Sequence, residues 1–246
     1  MSSAVYPSLR GRNVLITGGG SGIGAGIVAS YVAQGAKVSF IDLVDKVSET
    51  IELGVLGHMP RFFKCDLTDA SALDAVLKQV GPIDILLNNA ARDDRHTLDK
   101  VTPDYFDTNI AVNLKHMFMC SRAVVPGMKA RGGGVIINFG SISWHLGLPD
   151  LVLYETAKAG IEGMTRGLAR ELGPDNIRVT TIVPGNVKTE RQMQWYTPEA
   201  EAEIVAAQCS KGRILPEHVA SLALFLSSDD AQFCTGHAYW IDAGWR

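Results

Sequence analysis

The chain has 246 residues, of which 46% are hydrophobic and 20% charged, a composition typical of a globular protein rather than a disordered one. Lysine and arginine number 23 against 26 aspartates and glutamates, with no block of like charge, which argues against a nucleic-acid partner. No apolar stretch approaches the ~20 residues of a membrane span, and the four cysteines form no CxxC pair, so we expect a cytoplasmic protein without a metal site or a membrane partner.

Short runs of β-branched and apolar residues alternate with longer amphipathic segments. The predicted strands are Asn13–Thr17, Lys37–Asp42, Arg61–Asp66, Ile83–Asn88, Val135–Gly140, Arg178–Val183 and Ala238–Asp242. The predicted helices are Gly24–Gln34, Ala70–Val80, Thr108–Lys129, Tyr154–Leu172 and Pro216–Leu226. Most strands are apolar almost without interruption, as strands covered on both faces are. The alternation predicts an α/β protein, a single domain over residues 1–246 with a Rossmann-type, doubly wound, parallel seven-stranded sheet and helices on both faces.

A glycine-rich loop follows the first predicted strand and precedes the first predicted helix. The loop reads Thr17-Gly18-Gly19-Gly20-Ser21-Gly22-Ile23-Gly24. So few side chains let backbone N–H groups and the helix N-terminus approach a pyrophosphate, although an ordinary tight turn would use the same residues. Asp42 closes the second strand at about the 20-residue spacing of a carboxylate that binds the ribose hydroxyls of NAD. A 2′-phosphate would meet like charge there, so we predict NAD as the cofactor; the alternative role for Asp42 is a simple turn residue.

Tyr154 and Lys158 stand four residues apart in a predicted helix and therefore share one helical face. A nearby ammonium lowers the pKa of a phenol, whose ordinary value near ~10 is too high for a base at neutral pH. We therefore predict that Tyr154 acts as an acid–base group. The alternative is an ordinary surface pair, which most Tyr–Lys matches of this spacing would be.

Further motifs occur in a familiar order: Asp66 at the end of the third strand, Asn88-Asn89-Ala90-Ala91 at the end of the fourth, and Pro184-Gly185 after the sixth. With the glycine loop, they make the chain from about residue 10 onward resemble the short-chain dehydrogenase/reductase family, Ala91 being a mild departure. The resemblance implies cofactor contacts from Gly18, Ser21, Gly22, Ile23, Gly24, Asp42, Asp66, Leu67, Asn88, Ala90, Tyr154, Lys158, Pro184, Gly185, Val187 and Thr189.

The resemblance also implies a catalytic set, Asn113, Ser141, Tyr154 and Lys158. In that family the tyrosinate removes the proton of a substrate hydroxyl, the serine orients that hydroxyl, and the lysine lowers the phenol pKa and binds the nicotinamide ribose. The asparagine orders a water that relays the proton onward. Ser143 competes with Ser141 for the serine role, and the offset from Tyr154 favours Ser141.

The loops after the strands are rich in charged and amide groups, whereas a steroid or acyl pocket would be lined mainly by Leu, Met and Phe. Carboxylate, guanidinium and amide groups suit vicinal hydroxyls, and an indole can pack on the C–H face of a sugar. We therefore predict a small-molecule sugar or polyol substrate, each exposed contact having a solvated loop residue as its alternative. A resemblance to aldose 1-dehydrogenases, carried by residues 93–96, 138–148 and 239–246, implies substrate contacts from Asp93, Arg95, Ser141, Trp144, Tyr154 and Gln192, in loops that also carry Asn186, Arg191 and Trp195.

Residues 138–148, residues 239–246 and Asp93-Asp94-Arg95-His96 lie outside the general motifs and resemble the bacterial NAD-dependent aldose 1-dehydrogenases. Those enzymes oxidise the anomeric hydroxyl of a cyclic pentose, D-xylose above all, to a lactone; similar enzymes act on L-arabinose. The resemblance also implies a homotetramer, with the aromatic tail (Tyr239, Trp240, Trp245) in the core and subunit interface and Arg246 as a candidate to reach a neighbouring site.

Three other functions fit parts of the pattern. An acyl-carrier-protein reductase usually uses NADP and carries a basic residue in the glycine loop, where this chain has Ser21. A nucleotide-binding protein without catalysis would have a broken catalytic set, which this chain does not show. A sugar-acid dehydrogenase stays open, since Arg95 or Arg191 could bind a carboxylate.

Overall fold

One parallel sheet of seven strands lies at the centre of the described part of the protein. The computed structural model describes residues 4–48, 58–194 and 196–245. The strands are β1 (Asn13–Thr17), β2 (Lys37–Asp42), β3 (Arg61–Lys64), β4 (Ile85–Asn88), β5 (Gly134–Phe139), β6 (Ile177–Pro184) and β7 (Ala238–Ile241). Their order across the sheet is β3-β2-β1-β4-β5-β6-β7, and every neighbouring pair is parallel. The order reverses direction at β1, which is the point where doubly wound sheets bind ligands.

Helices connect the strands on both faces of the sheet. They are α1 (Gly22–Ala33), α2 (Ala70–Val80), α3 (Pro103–Ile110), α4 (His116–Ala130), α5 (Ser143–Leu146), α6 (Val152–Leu172), α7 (Glu190–Met193), α8 (Pro198–Ala207) and α9 (Pro216–Ser227). A π-helical turn, Ala111–Lys115, joins α3 to α4. Among the described helices, none combines the length and the apolar character that a bilayer crossing would need.

The apolar core has two halves, one on each face of the sheet. In β1, Val14 and Ile16 pack into the half that includes α1 and α9, while Leu15 packs into the half that includes α2, α4 and the C-terminal end of α6. All three side chains are fully buried. This explains why the strands read as continuous apolar runs, because alternate residues are covered by helices on opposite faces.

The predicted fold is confirmed, and the predicted ends of its elements lie within two residues of the observed ones except at one helix. The long helix expected to begin at Thr108 begins at Pro103, after Thr102, whose hydroxyl accepts the Tyr105 N–H at 3.2 Å. Strand β3 stops before Asp66 and β5 stops before Ser141, so both residues stand in loops beyond their strands. The sequence did not predict α5, α7 and α8.

The register of the strands brings their carboxyl ends to one edge. Thr17 pairs with Ile41 and Asn88, and Asn88 pairs with Asn138 in the next strand. The loops that follow β1, β2, β4, β5 and β6 therefore meet at this edge, which is where the candidate functional residues lie.

A buried chain of polar side chains ties the sheet to α6, the helix that carries Tyr154 and Lys158. The Asn88 amide donates to Asn138 Oδ1 at 2.9 Å, and the Asn138 amide donates to Thr165 Oγ1 at 2.9 Å. Thr181 Oγ1 also donates to Thr165 Oγ1 at 2.8 Å. Because Thr165 is fully buried and accepts from two strands, it fixes α6 against β5 and β6.

Replacing Thr165 with valine should lower the free energy of unfolding by about 2–3 kcal/mol, because two buried donors lose their acceptor. The matched control is Thr180→Val, since Thr180 is equally buried and its hydroxyl has no hydrogen-bond partner among the described residues. That control should change stability by less than about 1 kcal/mol. Urea unfolding followed by circular dichroism measures both variants, and equal losses would contradict the role given to Thr165.

Candidate active site

The loop between β1 and α1 brings backbone, and little else, to the edge of the sheet. Gly18 has φ = 69°, a left-handed conformation that favours glycine, and a Cβ at that position would lie 2.7 Å from Ala90 Cα. A Cβ on Gly24 would overlap the carbonyl oxygen of Gly18. Helix α1 then begins at Gly22, and the Ser21 side chain makes no capping bond to it. Free N–H groups at a helix N-terminus and a loop open to close approach fit a phosphate-bearing ligand.

Asp42 faces this loop from the end of β2. Its Oδ2 accepts the Gly20 N–H at 2.8 Å, and its Oδ1 accepts the N–H groups of Leu43 at 2.6 Å and Val44 at 3.2 Å. The carboxylate therefore shapes its own turn and also lines the cleft. The role as a turn residue is therefore observed, and the predicted contact with the ribose stays a prediction.

A clasp between β1 and β4 supports the loop from below. Thr17 Oγ1 accepts the N–H groups of Asn89 at 3.1 Å and Ala90 at 3.2 Å, while the Asn89 amide donates to the carbonyls of Thr17 and Gly18. The clasp holds the loops after β1 and β4 at a fixed separation.

Asn88 does not present its side chain to the cleft. It is fully buried, and its amide donates to Asn138 and to the backbone carbonyl of Met117. Only the backbone of Asn88 could therefore make the predicted cofactor contact, because the alternation of side chains along β4 directs its amide away from the cleft. Asn89, the next residue, lines the cleft.

A large cleft of about 500 Å³ runs along this edge, and it contains most of the predicted cofactor residues. Its lining includes Gly18, Ser21, Gly22, Ile23, Gly24, Asp42, Asp66, Leu67, Ala90, Tyr154 and Thr189. Pro184, Gly185, Val187 and Lys158 line the adjoining small pocket, of about 220 Å³, and Ile23, Tyr154 and Thr189 line both spaces. Two hydrogen bonds from Thr68 lower the pKa of Asp66 at the far end of the large cleft.

Ser141 and Tyr154 meet where the two spaces join. The Ser141 hydroxyl accepts the Ser143 hydroxyl at 2.9 Å and the Ser143 N–H at 3.1 Å, and it is near enough to the Tyr154 phenol to lower the pKa of that group. Both serines and the phenol line the small pocket. The order Ser143 to Ser141 to Tyr154 places Ser141, rather than Ser143, beside the phenol.

The electrostatics around Tyr154 differ from the prediction. Burial raises the pKa of Tyr154 and the Asp93 carboxylate raises it further, against smaller lowering effects of the Ser141 hydrogen bond and Arg191. Lys158 is fully buried, its Nζ donates to the Phe139 carbonyl at 2.7 Å, and it lies 5.3 Å from the centre of the Tyr154 ring. Burial lowers the pKa of Lys158 to about 7. Burial thus opposes the charged form of Lys158, and the expected lowering of the phenol pKa is not found.

Asn113 lies in the π-helical turn and is fully buried. Its Oδ1 accepts the Arg92 N–H at 2.9 Å, and its Nδ2 donates to the Arg92 carbonyl at 3.0 Å and to Asn109 Oδ1 at 3.1 Å. The side chain thus braces the loop after β4, and its amide groups are used in doing so. Its predicted role in a water relay stays a prediction.

Besides Ser141 and Tyr154, three further predicted substrate contacts line the small pocket: Asp93, Arg95 and Gln192. Asp93 Oδ2 accepts from Gln192 Nε2 at 3.1 Å, and Asp93 Oδ1 lies 2.9 Å from Arg191 Nη2. Arg95 is exposed at the rim and donates to the Pro149 carbonyl at 2.9 Å. Segments far apart in the sequence therefore converge on one polar surface.

Trp144, a predicted substrate contact, lines neither the small pocket nor the large cleft. The short helix α5 directs its indole away from both spaces, toward α6, where Nε1 donates to Glu162 Oε1 at 3.1 Å. The Trp144 ring lies 3.6 Å from the His145 ring, which lies 4.3 Å from the ring of Trp240. A four-residue helix was not predicted there, so the direction of the side chain could not be deduced.

The pocket also contains residues that the sequence did not single out as contacts, namely Asn186, Tyr196 and Trp245. Tyr196 donates to Gln192 Oε1 at 2.7 Å and accepts from Asn186 Nδ2 at 2.7 Å. The four-residue spacing between Gln192 and Tyr196 could have indicated this contact from the sequence. Trp195 and Arg246, also named from the sequence, lie outside the described residues.

Comparison with known proteins agrees with this geometry. A family model described as Enoyl-(Acyl carrier protein) reductase matches residues 18–246. A D-xylose 1-dehydrogenase of Caulobacter vibrioides is 65% identical, over 100% of this chain and 100% of that protein. A probable galactose dehydrogenase of Rhizobium meliloti is 43% identical, over 99% of this chain and 98% of that protein.

A solved structure of similar fold is a 7α-hydroxysteroid dehydrogenase complexed with NADH and 7-oxo glycochenodeoxycholic acid. It matches with a TM-score of 0.91 at 29% identity, covering 100% of this chain and 98% of that chain. The glycine loop, the cleft beyond the sheet and these relatives all indicate the same family. The chain therefore belongs to the short-chain dehydrogenase/reductase family, and it is a dehydrogenase.

Proposed function

We propose that this protein oxidises the anomeric hydroxyl of a cyclic aldopentose, D-xylose foremost, to the aldonolactone with NAD as the electron acceptor. The observation that carries the proposal is the 65% identity, over the full length of both chains, to a D-xylose 1-dehydrogenase. The 43% identity to a probable galactose dehydrogenase supports the wider class of sugar dehydrogenases. L-Arabinose and D-galactose are therefore the first alternative substrates.

The small pocket supports a hydroxyl-rich substrate. A carboxylate, a guanidinium and an amide lie together at its lining, in Asp93, Arg95 and Gln192. These groups can accept from and donate to neighbouring hydroxyls, whereas a steroid skeleton offers few polar groups to bond with them. A sugar acid is the competing ligand, because Arg95 could pair with a carboxylate.

In the proposed mechanism, Tyr154 accepts the proton of the substrate hydroxyl at its phenolate oxygen. Ser141 donates to the substrate oxygen and holds it beside the phenol, and the bond from Ser143 keeps the Ser141 oxygen in place. The protonated form of Lys158 would stabilise the phenolate, and its ammonium would bind the ribose next to the nicotinamide. When bound, the oxidised nicotinamide supplies the hydride acceptor and a positive charge. Asn113 supports the site by fixing the Arg92 backbone.

The choice of NAD over NADP depends on Asp42. The carboxylate lines the cleft near the glycine loop, and the ribose hydroxyls of NAD could donate to it. A phosphate on the same ribose would meet a negative charge held in place by three backbone N–H groups. The homotetramer, the cytoplasmic location and a single domain spanning 1–246 stay predictions from the sequence.

The proposal is tested by following NADH formation with D-xylose, L-arabinose, D-galactose and the corresponding sugar acids. D-Xylose should give the highest kcat/KM, and the rate should rise between about pH 7 and pH 9 because the phenol must lose its proton. Tyr154→Phe should reduce kcat by at least about 1,000-fold while NADH still binds.

The matched control for that variant is Tyr6→Phe, at a half-buried tyrosine of the N-terminal segment, outside both the large cleft and the small pocket. It should keep the activity of the parent protein. If Tyr154→Phe retains more than a few per cent of the activity, Tyr154 is not the base. A preference for sugar acids over every free sugar would replace the proposed substrate.

Asp42→Asn keeps an acceptor oxygen for the turn and removes the negative charge. The ratio of kcat/KM for NAD to that for NADP should fall by at least tenfold, about 1.4 kcal/mol. Asp45→Asn is the control, because Asp45 caps the following turn and does not line the cleft. Equal use of NAD and NADP by the parent protein would overturn the cofactor assignment.

The burial of Lys158 predicts a pH dependence of stability. The unfolded chain keeps the lysine proton up to about pH 10.5, whereas the folded protein loses it above about pH 7, so unfolding takes up a proton in this window. The free energy of unfolding should therefore rise with pH, relative to Lys158→Met, by up to about 1.4 kcal/mol per pH unit. Urea unfolding of both proteins at several pH values measures the difference. A difference that does not change with pH would show that Lys158 remains charged when buried.

A further inference from the structure

The lining of the small pocket combines two kinds of side chain. Its polar members are connected, because Gln192 bonds to both Asp93 and Tyr196, and Tyr196 bonds to Asn186. Its apolar members include Leu146, Leu148, Leu151 and the indole of Trp245. A cyclic polyol has the same division, with hydroxyls around its rim and C–H groups on its ring face. The polar network can form hydrogen bonds with the hydroxyls of the rim, and the apolar side chains can pack against the ring face.

Trp245 reaches the pocket because of where β7 ends. Ile241 pairs with Pro184, so the residues after β7 emerge beside the Pro184-Gly185 loop. The chain then turns through two residues with positive φ, Ala243 at 56° and Gly244 at 77°. Such a conformation is unfavourable for alanine and persists only where surrounding contacts hold it.

Hydrogen bonds on both sides hold this turn. The Ala243 carbonyl accepts the N–H groups of Cys209 at 2.9 Å and Ser210 at 3.0 Å, just after α8. The Gly185 N–H donates to the Ile241 carbonyl at 2.9 Å. A tail that is anchored to the loop after β6 and to the segment after α8 presents Trp245 in a defined place rather than as a loose end.

The Trp245 indole makes no hydrogen bond with other described residues. Trp245 is half-buried, and its only hydrogen bond to other described residues is made by its backbone N–H to the Asp242 carbonyl at 3.2 Å. Trp144 contrasts with it, since its indole N–H is bonded to Glu162 and its ring is stacked on His145. Because Trp245 lines the pocket and its indole N–H has no partner among the described residues, the side chain is available to a ligand.

We infer that Trp245 is a specificity-determining residue, whose indole packs against the C–H face of the sugar ring while the Asp93–Gln192–Tyr196 network binds the hydroxyls. This inference rests on the proposed function and adds to it the part of the site that recognises the ring. Trp245 does not line the large cleft, which contains most of the predicted cofactor residues, so replacing it should weaken sugar binding while NADH still binds through the large cleft.

The test compares Trp245→Leu, which keeps an apolar side chain without an aromatic face, with Trp245→Phe, which keeps an aromatic face. Trp144→Phe is the matched control. KM and kcat for D-xylose are measured at saturating NAD, and the dissociation constant of NADH is measured by its fluorescence. KM should rise at least tenfold in Trp245→Leu and no more than about threefold in Trp245→Phe, with kcat within about threefold of the parent. The control should match the parent protein, and the NADH constant should not change in any variant.

An unchanged KM in Trp245→Leu would overturn the ring contact. Equal KM increases in the leucine and phenylalanine variants, accompanied by weaker NADH binding, would show that Trp245 only supports the fold of the tail and would also overturn it. The parent protein tests the proposed function separately. If it oxidises none of D-xylose, L-arabinose and D-galactose, the sugar assignment fails, whereas turnover by the parent with an unaffected leucine variant removes Trp245 alone.

Discussion

The parallel register of β1, β4, β5 and β6 is the constraint on which the rest of the structure depends. Because Thr17, Asn88 and Asn138 are aligned across the sheet, the loops that follow these strands must share one edge. The Thr17 hydroxyl then bonds to the N–H groups of Asn89 and Ala90 and fixes the distance between two of the loops. Without that alignment, the glycine loop, the Ser141–Tyr154 pair and the polar network around Asp93 would be separate features.

Local signals were sufficient for the elements and for residues whose position follows from one element. The glycine loop, Asp42 at the end of β2, and Tyr154 with Lys158 on one face of α6 are of this kind. Side-chain direction beyond the strands depends on contacts between distant segments. Trp144 turns away because α5 forms, whereas Trp245 turns in because β7 ends beside β6. A rule that weighs every residue just after a strand would have included Trp245.

The same burial that shapes the site opposes its chemistry. Burial lowers the pKa of Lys158, whose ammonium donates to the Phe139 carbonyl. Burial and the nearby Asp93 carboxylate raise the pKa of Tyr154. Asp93 also favours the charged form of Lys158, so one carboxylate acts on both groups and bonds to Gln192 as well. Under the proposed function, in which Asp93 contacts the sugar, this carboxylate would couple the proton affinity of Tyr154 to substrate binding.

The central claim is that the site takes hydride from the anomeric carbon of a sugar and delivers it directly to the nicotinamide. D-Xylose carrying deuterium at C1 tests this, with the NADH and the sugar product analysed by mass spectrometry and NMR. The account predicts one deuterium on C4 of the nicotinamide, a lactone without deuterium at C1, and a slower turnover than with unlabelled sugar where the transfer limits the rate. Deuterium found in the solvent, or retained at C1 of the product, would contradict it.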